Sequence, residues 1–143
     1  QGPTVKIPFS WTAPALLAGH KTVTRREWKK DYARNFKGPG QIVEAVEPVS
    51  EVKIATLRLT AKPTLELNGL IPDSDFEAEG FAWLEQHPEA LPPTHLPLCR
   101  LQFDDMRILE RDRLMWVVRF ELIAIGRHYP PVAVQDAMPF PKV

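Results

Sequence analysis

Apolar positions along this chain fall into short runs, and the runs switch between the two-residue period of strands and the wider spacing of helices. Residues 5–9 form a short apolar stretch that reads as a first strand. Ser10 or Thr12 can cap the helix that follows, with Pro14 in its first turn and Gly19 as its stop. The β-branched run Thr22, Val23 and Thr24 makes residues 21–26 a strand, and Tyr32 and Phe36, spaced i, i+4, make residues 29–36 a helix. A turn at "KGPGQ" leads to two successive strands, residues 42–46 and 52–59. In the second, Val52 and Ile54 share one phase and Leu57 and Leu59 the other, so a bulge is expected between them. Asp73 or Ser74 can cap a helix reaching about Gln86. Pro88, Pro92, Pro93 and Pro97 make residues 88–105 a loop. Residues 114–125 are the longest strand, with Leu114, Trp116, Val118, Phe120, Leu122 and Ala124 on one face and Arg119 and Glu121 on the other. From Tyr129 the chain holds four more prolines and no periodic pattern, and reads as an extended arm or a disordered tail.

Strands outnumber helices, no internal repeat is present, and the order is not that of β-α-β units. An α+β fold is expected, a small β-barrel with flanking helices that cover its openings. The 143 residues suffice for one domain with one core. Residues 4–126 are assigned to that domain and residues 127–143 to a proline-rich C-terminal tail. Gln1-Gly2-Pro3 reads as an expression scar left by a protease.

Composition narrows the classes. Hydrophobic residues make up 44% and charged residues 25%, a globular balance. No apolar run approaches the roughly 18–20 residues of a membrane span, so no membrane partner is expected. The start lacks the basic and apolar regions of a signal peptide. Cys99 is the single cysteine, which excludes an intrachain disulfide and points to a reducing, cytoplasmic setting. His20, His87, His95 and His128 show no metal-ligand spacing, so neither a metal nor a cofactor is expected.

Net charge is zero, yet its distribution is uneven. Lys21, Arg25, Arg26, Lys29, Lys30, Arg34 and Lys37 face only Glu27 and Asp31 within the same stretch. Residues 73–89 hold six acids and no Lys or Arg. A basic segment in a neutral chain suggests a local anion site, such as one for a phosphate backbone, or simply a solvated helix face.

Five segments in order, "PFSWTAPALLAGHKTVTRREW", "YARNFKGPGQIVEAV", "VKIATLRLT", "DFEAEGFAWLEQH" and "LMWVVRFEL", resemble an ASCH domain, a family of the PUA-like superfamily of small β-barrels. The resemblance covers most of residues 5–125 and is most specific at "GHKTVTRRE", with "EGF" a weaker match. It implies a cleft beside the barrel that binds RNA or a modified base. One bacterial type in the family is an amidohydrolase of acetylcytidine that works with a Lys, a Thr and a Glu. Its "GRKTIT" block is similar to "GHKTVT", which places the Lys on Lys21 and the Thr on Thr24, and its Glu falls on Glu79. Another member is a metal-dependent ribonuclease. The proline-rich stretch before the last strand and the tail depart from the family pattern.

The residue types suit acyl transfer from nitrogen. A Thr hydroxyl needs an adjacent base, and a Lys serves if burial and the cations of Arg25 and Arg26 lower its pKa. A carboxylate can hold that Lys or carry protons to the leaving amine. The backbone at Gly19-His20 can offer N–H donors to an oxyanion. In a regular strand, however, Lys21 and Thr24 point to opposite faces, so a turn or bulge between them is required; otherwise Thr22 and Thr24 are ordinary strand residues and Lys21 is solvated. A helical wheel does not choose between Glu77 and Glu79; only the resemblance does. Arg25 and Arg26 are candidates to hold substrate oxygens. Trp11 and Trp28 either stack a base or belong to the core, and His20 either carries protons or merely turns the chain. The expected function is hydrolysis of an acylated cytidine, as a nucleoside or in RNA; a non-catalytic RNA or modified-base binder and a ribonuclease are the alternatives.

Overall fold

The computed structural model describes residues 4–126, and the expectations for residues 1–3 and for the tail lie outside them. Six strands and five helices follow one another as β1 (Lys6–Pro8), α1 (Ala13–Leu17), β2 (Val23–Arg26), α2 (Lys30–Ala33), β3 (Ile42–Val46), β4 (Lys53–Leu59), β5 (Thr64–Leu67), α3 (Asp75–Ala78), α4 (Phe81–Gln86), α5 (Arg100–Leu109) and β6 (Leu114–Ile125). Strand order is β1-β3-β4-β6-β2, with β5 also on β6. Only β1 and β3 run parallel. The 12-residue β6 is the hinge of the sheet. Its later part pairs with β4, while Val117 pairs with Arg25 of β2 on one edge and with Thr64 of β5 on the other. A mixed, curled half-barrel with flanking helices results, the α+β architecture expected from the pattern.

The phase switch in β4 has a local cause. Ala45 pairs with Ala55 but Val46 with Lys53, so Ile54 is an extra residue, and Ile54 and Ala55 are both buried. A second register shift, against β6, falls between Thr56 and Leu57. Such bulges sharpen the twist and let a short sheet curl. The main core lies inside the curl and joins Ile7, Phe9, Leu16, Val43, Leu57, Leu59, Val118 and Phe120. A second cluster (Ile71, Phe76, Phe81 and Phe103) docks α3, α4 and α5 as one layer.

Two expectations are corrected, and one strand was not expected. The loop assigned to residues 88–105 ends earlier, because the last proline is Pro97 and Gln102 accepts a bond from the Cys99 N–H (3.0 Å), which starts α5. β5 carried no recognised pattern, since Leu65 and Leu67 both remain partly exposed. The single helix up to Gln86 is two helices, broken at Gly80, whose φ of +89° is left-handed. Thr12 and Ser74 do occupy N-cap positions, but neither side chain caps its helix. Among the described residues no helix is long and apolar enough to cross a membrane.

Candidate active site

A cavity of about 390 Å³ opens between β1, the start of β2 and the α3–α4 turn. Lys21, Thr24, Arg25, Arg26, Glu79 and Trp11 all line it, together with Thr12 and Phe81. Its volume lies at the small end of the ligand-pocket range, roughly 300–1,000 Å³.

The parity problem between Lys21 and Thr24 disappears because β2 begins only at Val23. Lys21 belongs to the connection between α1 and β2, where strand alternation does not bind it. That connection is tied down at both ends: His20 N–H donates to Ala15 O (2.9 Å) and Thr22 N–H to Ala78 O (2.7 Å). Gly19 N–H is spent on Leu16 O, so neither backbone donor expected for an oxyanion is free. Gly80 lets the α3–α4 turn press against this connection. A Cβ there would stand 2.7 Å from Ala15 Cβ and 3.3 Å from Lys21 Cβ.

Glu79, the residue before this turn, is buried, whereas Glu77 is exposed. Of the two acids the helical wheel left open, Glu79 lines the cavity and Glu77 does not. Lys21 Nζ donates to Glu79 Oε1 (3.0 Å) and to the Glu79 main-chain oxygen (3.0 Å). Arg25 Nη1 donates to Glu79 Oε2 (2.8 Å) and Nη2 to Asp75 Oδ2 (2.6 Å). Arg119 reaches Asp75 from β6 with two bonds, 3.1 and 2.9 Å. Charges thus alternate along a chain Arg119–Asp75–Arg25–Glu79–Lys21. Lys21 and Arg25 of the basic segment meet Asp75 and Glu79 of the acidic one. Asp75 and Arg119 escaped the sequence reading. Asp75 was considered only as part of the acidic stretch, and Arg119 only as the polar face of its strand; the i, i+4 spacing of Asp75 and Glu79 on one helical face was the available clue.

Burial lowers the Lys21 pKa; Glu79 opposes this, and Arg26 and Arg25 add to it. Burial also raises the Asp75 carboxyl, but the hydrogen bonds from Arg119 and Arg25 outweigh it and hold the group below its ordinary value. Thr24 is buried and its hydroxyl accepts a bond from Arg26 Nε (3.0 Å). Among the described hydrogen bonds none joins Lys21 to Thr24, although both side chains line the cavity.

Two expected site residues lie elsewhere. Trp28 stacks on Phe36 at 4.4 Å between centroids and packs against the main core. His20 is exposed beside Trp83 and is not among the residues that line the cavity. Trp11 does line the cavity, stacked on Phe81 at 5.6 Å.

No family model matches the sequence, and no curated protein does. Among solved structures the chain is similar to protein EF3133 of Enterococcus faecalis V583, a DUF984 protein; the match spans 90% of this chain and 85% of that one, with a TM-score of 0.52 and 17% identity. The chain shares that protein's fold. The ASCH domain from Lactobacillus crispatus JV V101 matches 79% of this chain and 70% of its own length, at a TM-score of 0.46 and 13% identity. At these identities the likeness concerns the fold alone. Among the described residues, no group of three or more His, Cys, Asp or Glu is placed to hold a metal ion.

Proposed function

We propose that the cavity hydrolyses the amide of an acylated cytidine, with Thr24 as nucleophile, Lys21 as base and Glu79 as the group that holds Lys21 and relays protons. The observation that carries this reading is the state of the Thr24 hydroxyl. It accepts from the Arg26 guanidinium, which stabilises negative charge growing on its oxygen and leaves its own proton free to depart. A buried amine whose charged form is disfavoured lines the same small cavity.

The reaction runs in two steps. Thr24 Oγ attacks the acyl carbon while Lys21 hands a proton to Glu79 Oε1 and takes up the Thr24 proton through a bridging water. The C–N bond breaks as the cytosine amine collects a proton from the Lys21–Glu79 pair. Water then attacks the Thr24 ester, the carboxylate leaves and the hydroxyl is restored. Trp11 and Phe81 offer an apolar wall for the pyrimidine ring.

A second reading, binding of RNA or a modified base without chemistry, draws on a neighbouring groove. This groove of about 650 Å³ carries Lys6, Tyr32, Asn35, Lys37 and Gln41, and it shares Pro8 and Pro48 with the cavity.

The test is release of acetate from acetylcytidine without added metal. Thr24→Ala abolishes turnover with the fold intact, and Lys21→Arg is nearly as damaging because a guanidinium stays protonated. Glu79→Gln costs on the order of 10² or more, and Glu77→Gln little. Full activity in Thr24→Ala removes the nucleophile assignment. A parent that binds the nucleoside or RNA but never turns over supports the binder, and cleavage of RNA that needs a divalent ion supports the nuclease.

A further inference from the structure

Three cations line the cavity, and they are not equivalent. Lys21 is joined to Glu79, and Arg25 is shared between Glu79 and Asp75. Arg26 has no carboxylate partner among the described residues; its one described bond runs from Nε to the Thr24 hydroxyl. Its guanidinium lies over the Phe9 ring at 5.0 Å and within the cavity lining, so one flank is apolar and the other faces the ligand space. Burial pushes its pKa down, with Glu79 and Tyr32 opposing from a distance. A guanidinium is a planar fork of five donors, and here only Nε is engaged. The two terminal nitrogens are the natural seat of a planar, two-oxygen anion.

We infer that Arg26 and Thr24 form a carboxylate subsite, in which a short carboxylate lies bidentate on the free guanidinium edge next to the Thr24 hydroxyl. The inference rests on the proposed hydrolysis for its biological meaning, because that reaction ends in a carboxylate at this place. It does not rest on it for the existence of the site. The terminal nitrogens of Arg26 would also hold the oxyanion that precedes the carboxylate, a task the Gly19 and His20 N–H groups cannot take, since both are engaged with α1. Phosphate oxygens share this chemistry in part, but a tetrahedral dianion fits a single fork flanked by an aromatic ring less well than a flat carboxylate does.

The probe is acetate, titrated at neutral pH and constant ionic strength, and read in the Arg26 Nε–H and Thr24 amide signals of the full chain by NMR. Saturable shifts with a millimolar Kd are expected, as strong as so few ligand atoms allow. Arg26→Gln raises the Kd at least roughly tenfold, Arg26→Lys restores part of the binding, and Arg34→Gln, on the surface, changes nothing. Shifts that never saturate, acetate binding that survives Arg26→Gln, or inorganic phosphate that binds more tightly than acetate would each overturn the assignment. Acetate bound at Arg26 by a protein that turns over nothing sinks the hydrolysis and keeps the subsite; turnover without acetate binding does the reverse.

Discussion

Adding one methyl group at Gly80 should unbuild the site from behind. The residue has φ of +89°, a conformation in which an L side chain costs about 1–2 kcal/mol. The new Cβ would also stand 2.7 Å from Ala15 Cβ, a distance real Cβ atoms do not tolerate, and 3.3 Å from Lys21 Cβ. Ala15 is wholly buried in α1, so neither partner has room to retreat, and overpacking of this kind adds roughly 1–3 kcal/mol. Gly80→Ala is therefore expected to cost about 2–5 kcal/mol, a fall in melting temperature of roughly 8–20 °C for a domain of this size. The two contributions separate in a double-mutant cycle. Ala15→Gly alone loses about 1 kcal/mol of helix propensity, yet combined with Gly80→Ala it relieves the contact and recovers most of the overpacking cost. Gly80→Asn, which tolerates positive φ but keeps the Cβ, should stay close to Gly80→Ala. Thermal unfolding followed by circular dichroism measures all of these. A Gly80→Ala melting point within 2 °C of the parent, or effects that simply add, would refute the reasoning.

Asp75→Asn leaves Arg25 and Arg119 without their shared carboxylate and should cost about 3 kcal/mol or more at neutral pH, measured by urea unfolding. Because the native Asp75 pKa lies below its ordinary 3.8, the unfolded chain binds more protons in acid; the contribution is whole above that value and vanishes as pH falls through the native one, so parent and variant converge in acid, and parallel pH curves would contradict the assignment. Leu57→Ala, at a wholly buried position, should lose about 2–5 kcal/mol, and Leu65→Ala, at a half-exposed one, less than about 0.5 kcal/mol; equal losses in denaturant unfolding would contradict the core described. If the exposed Lys29 and Lys30 follow a phosphate backbone, reversing both charges flattens the salt dependence of RNA affinity, and an unchanged slope removes them from the interface.

Where one physical cause dominates, the chain could be read without its structure. Leu114–Ile125 follows from uninterrupted alternation, and the bulge in β4 from two phases that no regular strand can bury together. Residues placed by two causes at once were harder. Glu79 enters the cavity because the helix breaks beside it, and the break at Gly80 depends on the approach of α1, more than sixty positions earlier in the chain. Trp28 was ambiguous for a related reason, since its partner Phe36 arrives only after α2 turns back. α5 was hidden by the prolines before it, whose effect ends once Cys99 and Gln102 cap the helix. Lys21, Thr24 and Glu79 were singled out by resemblance; Arg119 required the strand register that sets it opposite Val23.

The alternating chain from Arg119 to Lys21 also limits how such a site can change. Its five members come from three separate stretches of sequence, and each interior member neutralises two neighbours. A single exchange at Asp75, Arg25 or Glu79 strands at least one buried charge beside it, so stepwise drift meets a barrier at its first step. Substitutions should therefore travel together, and a related chain that has lost one interior member is expected to have lost the others with it. Transplanting the cavity to another barrel would require the whole row, the final-strand arginine included.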